Sequence, residues 1–396
     1  MRKLLVNGLP VIILLVWLMP VSNHLNTTNA TMMRNCYLMS LAVVFLAFLF
    51  QKYFDIIQLI ISISIMSFLL ISTLLFFETH NSGAKITYGY LMNYLPFCVL
   101  ICIKINKFSD SVVIDFAFIS VCIIIIAVGI LSVLQNPIIE SILKTYYNNH
   151  YDYLYILMWQ SRKTVTFFGT HSIACYIYFL LWWGIQCRMR VKKGKINYIL
   201  TLGIIFNIIM CQSVSAILCV VLITGYYYYK ANIKLNAKKL LLLFLLMIAV
   251  AIGIILNINT ISNILSSDQN GLLGRFGSSG NLNDTLSYAF NQLIPLGLCD
   301  VEGLWLTDGG YYINFLRGGI VMLVLYYFGL YRFLKNNISE KKTRIFLYSC
   351  LLLFEVGYQF TMCMRFFMIM LFMVMYYNYL QNTAPSDAKE NRIVRN

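Results

Sequence analysis

Residues 112–134 read VVIDFAFISVCIIIIAVGILSVL, an apolar run with a single charge, that of Asp115. A helix of about 20 apolar residues crosses the hydrocarbon core of a bilayer, so this stretch predicts a transmembrane helix. A closed β-barrel is the other structure that satisfies its backbone hydrogen bonds in lipid. The chain lacks the alternating pattern of barrel strands, and the stretch therefore indicates a helical membrane protein.

Apolar runs of similar length recur along the whole chain of 396 residues. Apolar residues make up 60% of the chain and charged residues 11%, whereas soluble domains have roughly 45–50% and about 25%. The expected fold class is all-α, a polytopic membrane protein with about twelve transmembrane helices. The predicted helices span roughly 4–22, 36–50, 56–77, 89–103, 112–134, 172–187, 197–212, 214–229, 240–258, 309–331, 345–361 and 364–380.

The net charge of +15 indicates membrane orientation rather than nucleic-acid binding. Of the 30 Lys and Arg residues, 22 lie in one alternating set of connections and 6 in the other, while Arg317 and Arg365 lie at membrane depth. Cytoplasmic loops carry the excess of Lys and Arg, so both termini are expected in the cytoplasm. Membrane lipids are expected partners, and nucleic acid is not.

Two connections are much longer than the others, and both lie on the outer face in this orientation. The chain then divides into helices (1–134), a first outer loop (135–171), helices (172–258), a second outer loop (259–308), helices (309–380) and a cytoplasmic tail (381–396). Long connections in compact proteins are usually functional. The sequence therefore predicts a site at the outer surface.

The first outer loop is rich in aromatic residues and contains an adjacent pair of cations. Trp159 and the neighbouring tyrosines suit the headgroup level of a membrane, and they also suit stacking against sugar rings. Arg162 and Lys163 come just before a membrane helix on a cation-poor face. They are either a solvated surface pair or a phosphate site, with Arg binding bidentately and Lys as a point charge.

The second outer loop contains one cation, Arg275, within a stretch rich in Gly and Ser. Asp284 precedes an apolar-periodic run at 286–293, which predicts the N-terminus of a short amphipathic helix on the membrane. Pro295 is expected to end this helix, and Gly297 permits a sharp turn after it.

From Arg275 to Gly319 the chain resembles the O-antigen ligase and polymerase superfamily. In that family an Arg, a short amphipathic helix and a Pro-x-Gly-like turn precede a polar residue that opens a helix. Asp308 stands in the place of the polar residue, and Gly319 follows eleven positions later. The ligases carry His-Asn in this place, whereas Wzy-type polymerases that resemble this chain often carry Asp. The chain is therefore most similar to a repeat-unit polymerase of O-antigen or capsular polysaccharide.

Two other segments resemble the same family. SRKTVTFFGTHSIACY is similar to a segment in which an Arg precedes a Gly and a polar helix cap, and CQSVSAILCV resembles a Ser-x-Ser element between two helices. The matching residues are Arg162, Gly169 and His171 in the first segment, and Ser213 and Ser215 in the second. Val214 stands where many members have Arg, so an arginine of the family is missing here.

The resemblance implies a membrane glycosyltransferase at the outer face of the bacterial cytoplasmic (inner) membrane. Such an enzyme transfers a growing glycan from undecaprenyl diphosphate to an incoming lipid-linked repeat unit. Cations must face the departing diphosphate, and a base must accept the proton of the acceptor hydroxyl. The expected catalytic residues are Asp308, Arg275 and Arg162, and the expected substrate-binding residues are Lys163, His171, Arg317, Arg365, Tyr311 and Trp159. No metal and no cofactor is expected, and a flippase and a chain-length regulator of the same pathway are expected partners.

Several of these residues also have simpler roles. Asp308 suits a helix N-cap. Arg317 is predicted to form an ion pair with Glu355, since arginines at membrane depth are usually paired. Arg365 suits contact with lipid headgroups as well as with a diphosphate.

Two alternative functions stay open. A ligase shares the same chemistry but passes the glycan to a different acceptor. A flippase or other transporter of lipid-linked oligosaccharides needs a polar path through several helices, and the sequence offers few residues for one, namely Asp115, Arg317 and Glu355.

Overall fold

The computed structural model describes residues 55–79, 84–105, 112–146, 155–160, 163–164, 171–192, 194–212, 214–230, 281–292, 294–301, 309–362 and 364–383, with residue 152 and single positions between 8 and 46. Each of those single positions is helical, in the regions of the first two predicted helices. The predicted helix at 240–258 lies outside the described residues.

The described part of the chain is mostly helical, and its helices are labelled in chain order. They are α1 (Ile56–Thr79), α2 (Tyr88–Cys102), α3 (Val112–Val133), α4 (Pro137–Tyr146), α5 (His171–Met189), α6 (Lys195–Met210), α7 (Val214–Lys230), α8 (Asn281–Asn291), α9 (Gly310–Asn337), α10 (Lys341–Glu355) and α11 (Met364–Thr383). A π-helical turn (Ile156–Gln160), a 3₁₀ turn (Phe360–Met362) and two strands, β1 (Ala84–Ile86) and β2 (Cys299–Val301), complete the elements.

Three helices within the described residues are long and apolar enough to cross a membrane: Ile56–Thr79, Val113–Val133 and Gly310–Asn337. Large apolar side chains lie on their exposed faces, such as Leu74 of α1, which is 65% exposed. A water-soluble fold rarely leaves a whole apolar helix face uncovered. The fold is therefore that of a helical protein associated with a membrane.

Two helix ends differ from the predicted bounds by six residues. Helix α10 ends at Glu355, six residues before its predicted end, because the chain tightens there: the N–H of Gly357 donates to the carbonyl oxygen of Phe354 at 3.1 Å. Helix α9 continues to Asn337 and is broken at Gly319, whose φ of 64° is outside the helical region. A glycine adopts this backbone conformation without strain from a Cβ atom.

Part of the first long loop is helical. Helix α4 begins at Pro137, whose fixed φ suits the first turn of a helix. Glu140 in the first turn and Lys144 in the last turn complement the helix dipole. Residues 137–146, which the sequence assigns to a loop, are therefore helical.

The chain forms two compact units. The first comprises Met1–Ser67, Tyr88–Val220 and Val324–Asn396, and the second comprises Phe68–Thr87 and Val221–Leu323. At the centre of the first unit α5 is buried around its whole circumference from Ala174 to Arg188. Helix α11 is buried in the same way, which is expected for helices in the interior of a bundle.

The second unit contains a β-ribbon that the sequence does not predict. Strands β1 and β2 pair antiparallel, with Lys85 opposite Asp300. A two-stranded ribbon is marginal by itself, and this one is supported by an apolar cluster. The cluster consists of Phe76, Leu296, Cys299 and Leu316.

Candidate functional site

The expected catalytic residues Arg162, Arg275 and Asp308 lie outside the described residues. His171 is the first residue of α5, one position before the predicted start of that helix. The structure describes the side chains of Lys163, Trp159, Tyr311, Arg317 and Arg365.

Lys163 belongs to a segment that is attached to the C-terminal end of α6. The N–H of the next residue, Thr164, donates to the carbonyl oxygen of Met210 at 3.0 Å. Lys163 is also close enough to Cys211 to interact with it electrostatically. Cys211 and Gln212, which has a φ of 47°, form the turn that precedes the Ser-x-Ser element. The structure therefore brings together two of the segments that the sequence singles out.

Trp159 lies in the π-helical turn beside the end of α3. Its carbonyl oxygen accepts a hydrogen bond from Nε2 of Gln135 at 2.9 Å. Its ring stacks on that of Tyr155 with 5.7 Å between centroids, and Tyr155 is exposed. Single π-helical turns occur often at functional sites. The pair forms an aromatic surface that fits either a sugar ring or lipid headgroups.

Arg317 is completely buried in the first half of α9. Its guanidinium donates to the carbonyl oxygens of Gly297 at 2.8 Å and Cys299 at 3.0 Å, and to Oδ1 of Asp300 at 3.1 Å. The predicted ion pair with Glu355 is therefore wrong. The amino-acid sequence does not show which faces of two helices meet, so the partner of Arg317 could not be predicted from it. Asp300 also falls in a segment that is predicted to be an irregular loop.

Glu355 has a different environment, at the end of α10. It is completely buried, and its two carboxylate oxygens accept hydrogen bonds from the N–H of Thr361 at 2.7 Å and from the hydroxyl of Tyr327 at 3.0 Å. The hydroxyls of Thr361 and Tyr326 lie 2.9 Å apart. Glu355 thus holds the turn between α10 and the 3₁₀ turn.

Arg365 and Tyr311 both lie in the first turn of a helix. Arg365, near the start of α11, is 1% exposed, which does not fit the alternative of contact with headgroups. Tyr311, near the start of α9, is partly buried. Both residues also interact with other residues of the chain.

A groove of about 220 Å³ lies between α8 and the break of α9. Its lining includes Tyr288 of α8, Pro295, Phe315 and Gly319. A Cβ atom on Gly319 would lie 3.8 Å from Cγ of Pro295, so the turn after α8 packs directly on the break. Burial raises the pKa of Tyr288. The lining is mainly apolar.

Helix α8 starts three residues earlier than the sequence predicts. It begins at Asn281, so Asp284 falls in its first turn, where a carboxylate is favoured by the helix dipole. The helix ends at Asn291, before Pro295, as predicted.

No family model matches the chain, and comparisons with curated proteins and with solved structures found no match. The described residues define the class of the protein, a mostly helical chain with three helices long and apolar enough to cross a membrane.

Sequence reasoning missed the polar partners of Arg317. Asp300 is one of only 15 acidic residues in the chain, and it lies 17 positions before Arg317. Arginines at membrane depth are usually paired, but Glu302 and Asp308 lie closer in sequence to Arg317 than Asp300 does. Sequence distance therefore does not identify the partner.

Proposed function

We propose that the protein is a polysaccharide polymerase of the O-antigen ligase and polymerase superfamily. It transfers a growing glycan from undecaprenyl diphosphate to an incoming lipid-linked repeat unit. The proposal places the reaction at the outer face of a bacterial cytoplasmic membrane. It includes about twelve transmembrane helices with both termini in the cytoplasm and two long outer loops.

The observation that carries the proposal is the path of the chain from Asn281 to Gly319. An amphipathic helix is followed by the turn at Pro295 and Gly297, and helix α9 then starts at Gly310 and breaks at Gly319. This is the order of elements that the family pattern requires around its reacting polar residue. The apolar groove on this path suits the hydrocarbon part of a lipid-linked substrate.

The second support is the environment of Lys163. This residue lies beside the turn that leads into the N-terminus of α7. Helix N-termini favour anions, and the cation adds to that preference. A diphosphate is the anion that the proposed reaction must hold.

In this proposal Arg162 and Arg275 stabilise the departing diphosphate, and Asp308 accepts the proton of the acceptor hydroxyl. The sugar hydroxyl forms a bond to the anomeric carbon, while the bond from that carbon to the diphosphate oxygen breaks. The electron pair leaves with the diphosphate, so the step needs no redox cofactor, and Arg162 and Arg275 stabilise the charge that a metal ion would otherwise neutralise.

Deleting the gene tests the proposal against its alternatives. A polymerase deletion leaves surface glycan with a single repeat unit. Full-length glycan that is not attached to its anchor would instead indicate a ligase, and lipid-linked units trapped inside the cell would indicate a flippase. Glycan length on gels and extraction of lipid-linked units separate the three outcomes.

A point variant tests the chemistry at the same site. Asn caps a helix about as well as Asp, so Asp308→Asn keeps the cap and removes the base. We expect loss of polymerisation with normal protein level. Long chains at a normal rate would reduce Asp308 to a helix cap, and His171 would become the next candidate for the base.

A further inference from the structure

The described acceptors of the Arg317 guanidinium all lie in a single short segment. The segment is 296–301, and two of the three acceptors are backbone carbonyl oxygens. Arg presents its N–H donors in a rigid fork, so this side chain fixes the backbone conformation of the segment as well as its position.

The backbone of α9 holds the same segment from the other direction. The N–H groups of Leu296 and Gly297 donate to the carbonyl oxygens of Leu316 and Arg317, each at 3.0 Å. Carbonyl groups near a helix break lose their intrahelical partners, and the break at Gly319 comes two residues after Arg317. The break thus supplies acceptors for the segment.

Two threonines, Thr73 and Thr87, also form hydrogen bonds with the segment. The hydroxyl of Thr87 donates to Oδ2 of Asp300 at 2.8 Å, and the N–H of Leu298 donates to Oγ1 of Thr73 at 2.9 Å. Asp300 therefore links Arg317 to the chain beyond β1. Burial raises the pKa of the adjacent Cys299 thiol above its ordinary value, although the charge of Arg317 offsets part of this effect.

We propose that Arg317 is a positioning residue and does not contact the substrate. It fixes segment 296–301 on α9 and so sets where the following stretch begins, with Asp308 seven residues after Val301. Complete burial of the guanidinium among protein acceptors supports this role. The effect on catalysis rests on the proposed function, whereas the anchoring of the segment does not.

The anchoring is tested by hydrogen exchange on the full-length protein in lipid nanodiscs. Arg317→Met should speed amide exchange in segment 296–301 by about 10- to 100-fold, because buried hydrogen bonds to a charged group are lost. The matched control is Arg332→Met on the same helix, an arginine 3.6 Å from Asp55. Equal exchange of the segment in the two variants would overturn the proposal.

Milder variants keep the test decisive where Arg317→Met does not fold. Asp300→Asn and Thr87→Val each remove part of the network, and both should speed exchange in the same segment by a smaller factor. Unchanged exchange in both variants would contradict the anchoring role.

Kinetics with a lipid-linked repeat unit separate positioning from binding. Arg317→Met should lower the rate of chain elongation by up to about 100-fold with KM unchanged, since small misplacement of a catalytic group has effects of this size. A raised KM at unchanged turnover would show that Arg317 binds substrate. Wild-type protein without polymerase activity would refute the proposed function, and the exchange result would still decide the anchoring.

Discussion

Asp115 and Arg188 form a buried ion pair between α3 and α5, with 3.0 Å between Oδ1 and Nε and 3.3 Å between Oδ2 and Nη2. Nζ of Lys192 and the hydroxyl of Tyr376 also donate to this carboxylate, at 2.9 and 2.7 Å. One acid thus joins three helices. A carboxylate with four such donors is engaged in a structural network, which weighs against its use in a transport path.

Removing this acid should destabilise the bundle. Asp115→Leu leaves Arg188 and Lys192 without their carboxylate, and breaking a buried pair in this way costs about 3–5 kcal/mol. The free energy of unfolding in detergent measures the loss. Asp284→Asn, at an exposed position of α8, is the control, and an equal loss in both variants would contradict the network role.

Asp55 should make the stability of α1 depend on pH. Oδ1 accepts hydrogen bonds from the N–H groups of Ile57 at 2.9 Å and Gln58 at 3.2 Å. Burial by itself raises the pKa of Asp55. These hydrogen bonds, a further one from Asn336 and the charge of Arg332 outweigh burial, so the pKa is lowered overall. The stabilisation is therefore present above about pH 4, and it is lost as the pH falls through the lowered pKa of the folded state.

Two variants separate the cap from the charge of Asp55. Asp55→Asn should keep the helix cap and lose the stabilisation that depends on the carboxylate charge. The free energy of unfolding of this variant should therefore change less between pH 7 and about pH 3 than that of the wild type. Asp55→Ala should lose about 1 kcal/mol at neutral pH. Identical pH profiles for wild type and Asp55→Asn would contradict this assignment.

Gly297 should not tolerate a side chain. Its φ is +56°, and a Cβ atom would lie 2.4 Å from the backbone nitrogen of Thr73. Gly297→Ala should therefore destabilise the protein by at least about 1–3 kcal/mol, measured by thermal unfolding. Gly225→Ala is the matched control, because no described atom outside the adjacent helix backbone lies within 4 Å of a Cβ at that position. Equal unfolding temperatures for the two variants would refute the steric argument.

Glu355 should tolerate an amide better than an apolar side chain. In Glu355→Gln the amide oxygen still accepts from Thr361, and the amide N–H₂ donates to the hydroxyl of Tyr327. Glu355→Leu leaves both groups without their partner, at about 1–3 kcal/mol for each buried group. Unfolding of the two variants gives the comparison, and equal losses would mean that the negative charge itself is required.

Reporter fusions test the proposed orientation. Fusions at Lys193, Lys239 and Lys342 should report the cytoplasm, and fusions near Asn148 and Ser279 should report the outside, because cations mark the cytoplasmic connections. An external signal at Lys193 would overturn the orientation together with both outer loops.

Hydropathy is sufficient to locate the most apolar helices, because the length of an apolar run is a local property. The runs predicted at 56–77 and 112–134 match α1 and α3 to within two residues. The partner of Arg317 depends instead on which segments fold back onto α9, and apolar periodicity contains no such information. The three-residue strands of the ribbon are too short for an alternating pattern to mark them.

The β-ribbon has a consequence for the order of assembly. Thr87 and Asp300, which its strands bring together, are 213 positions apart. A chain synthesised at about 5–20 residues per second leaves β1 without its partner for on the order of 10–40 s. During that time the edge of β1 has unpaired backbone donors and acceptors, which are open to wrong pairings. Closing the ribbon is therefore a late event of biogenesis, and it comes after helices α1 to α8 have been synthesised.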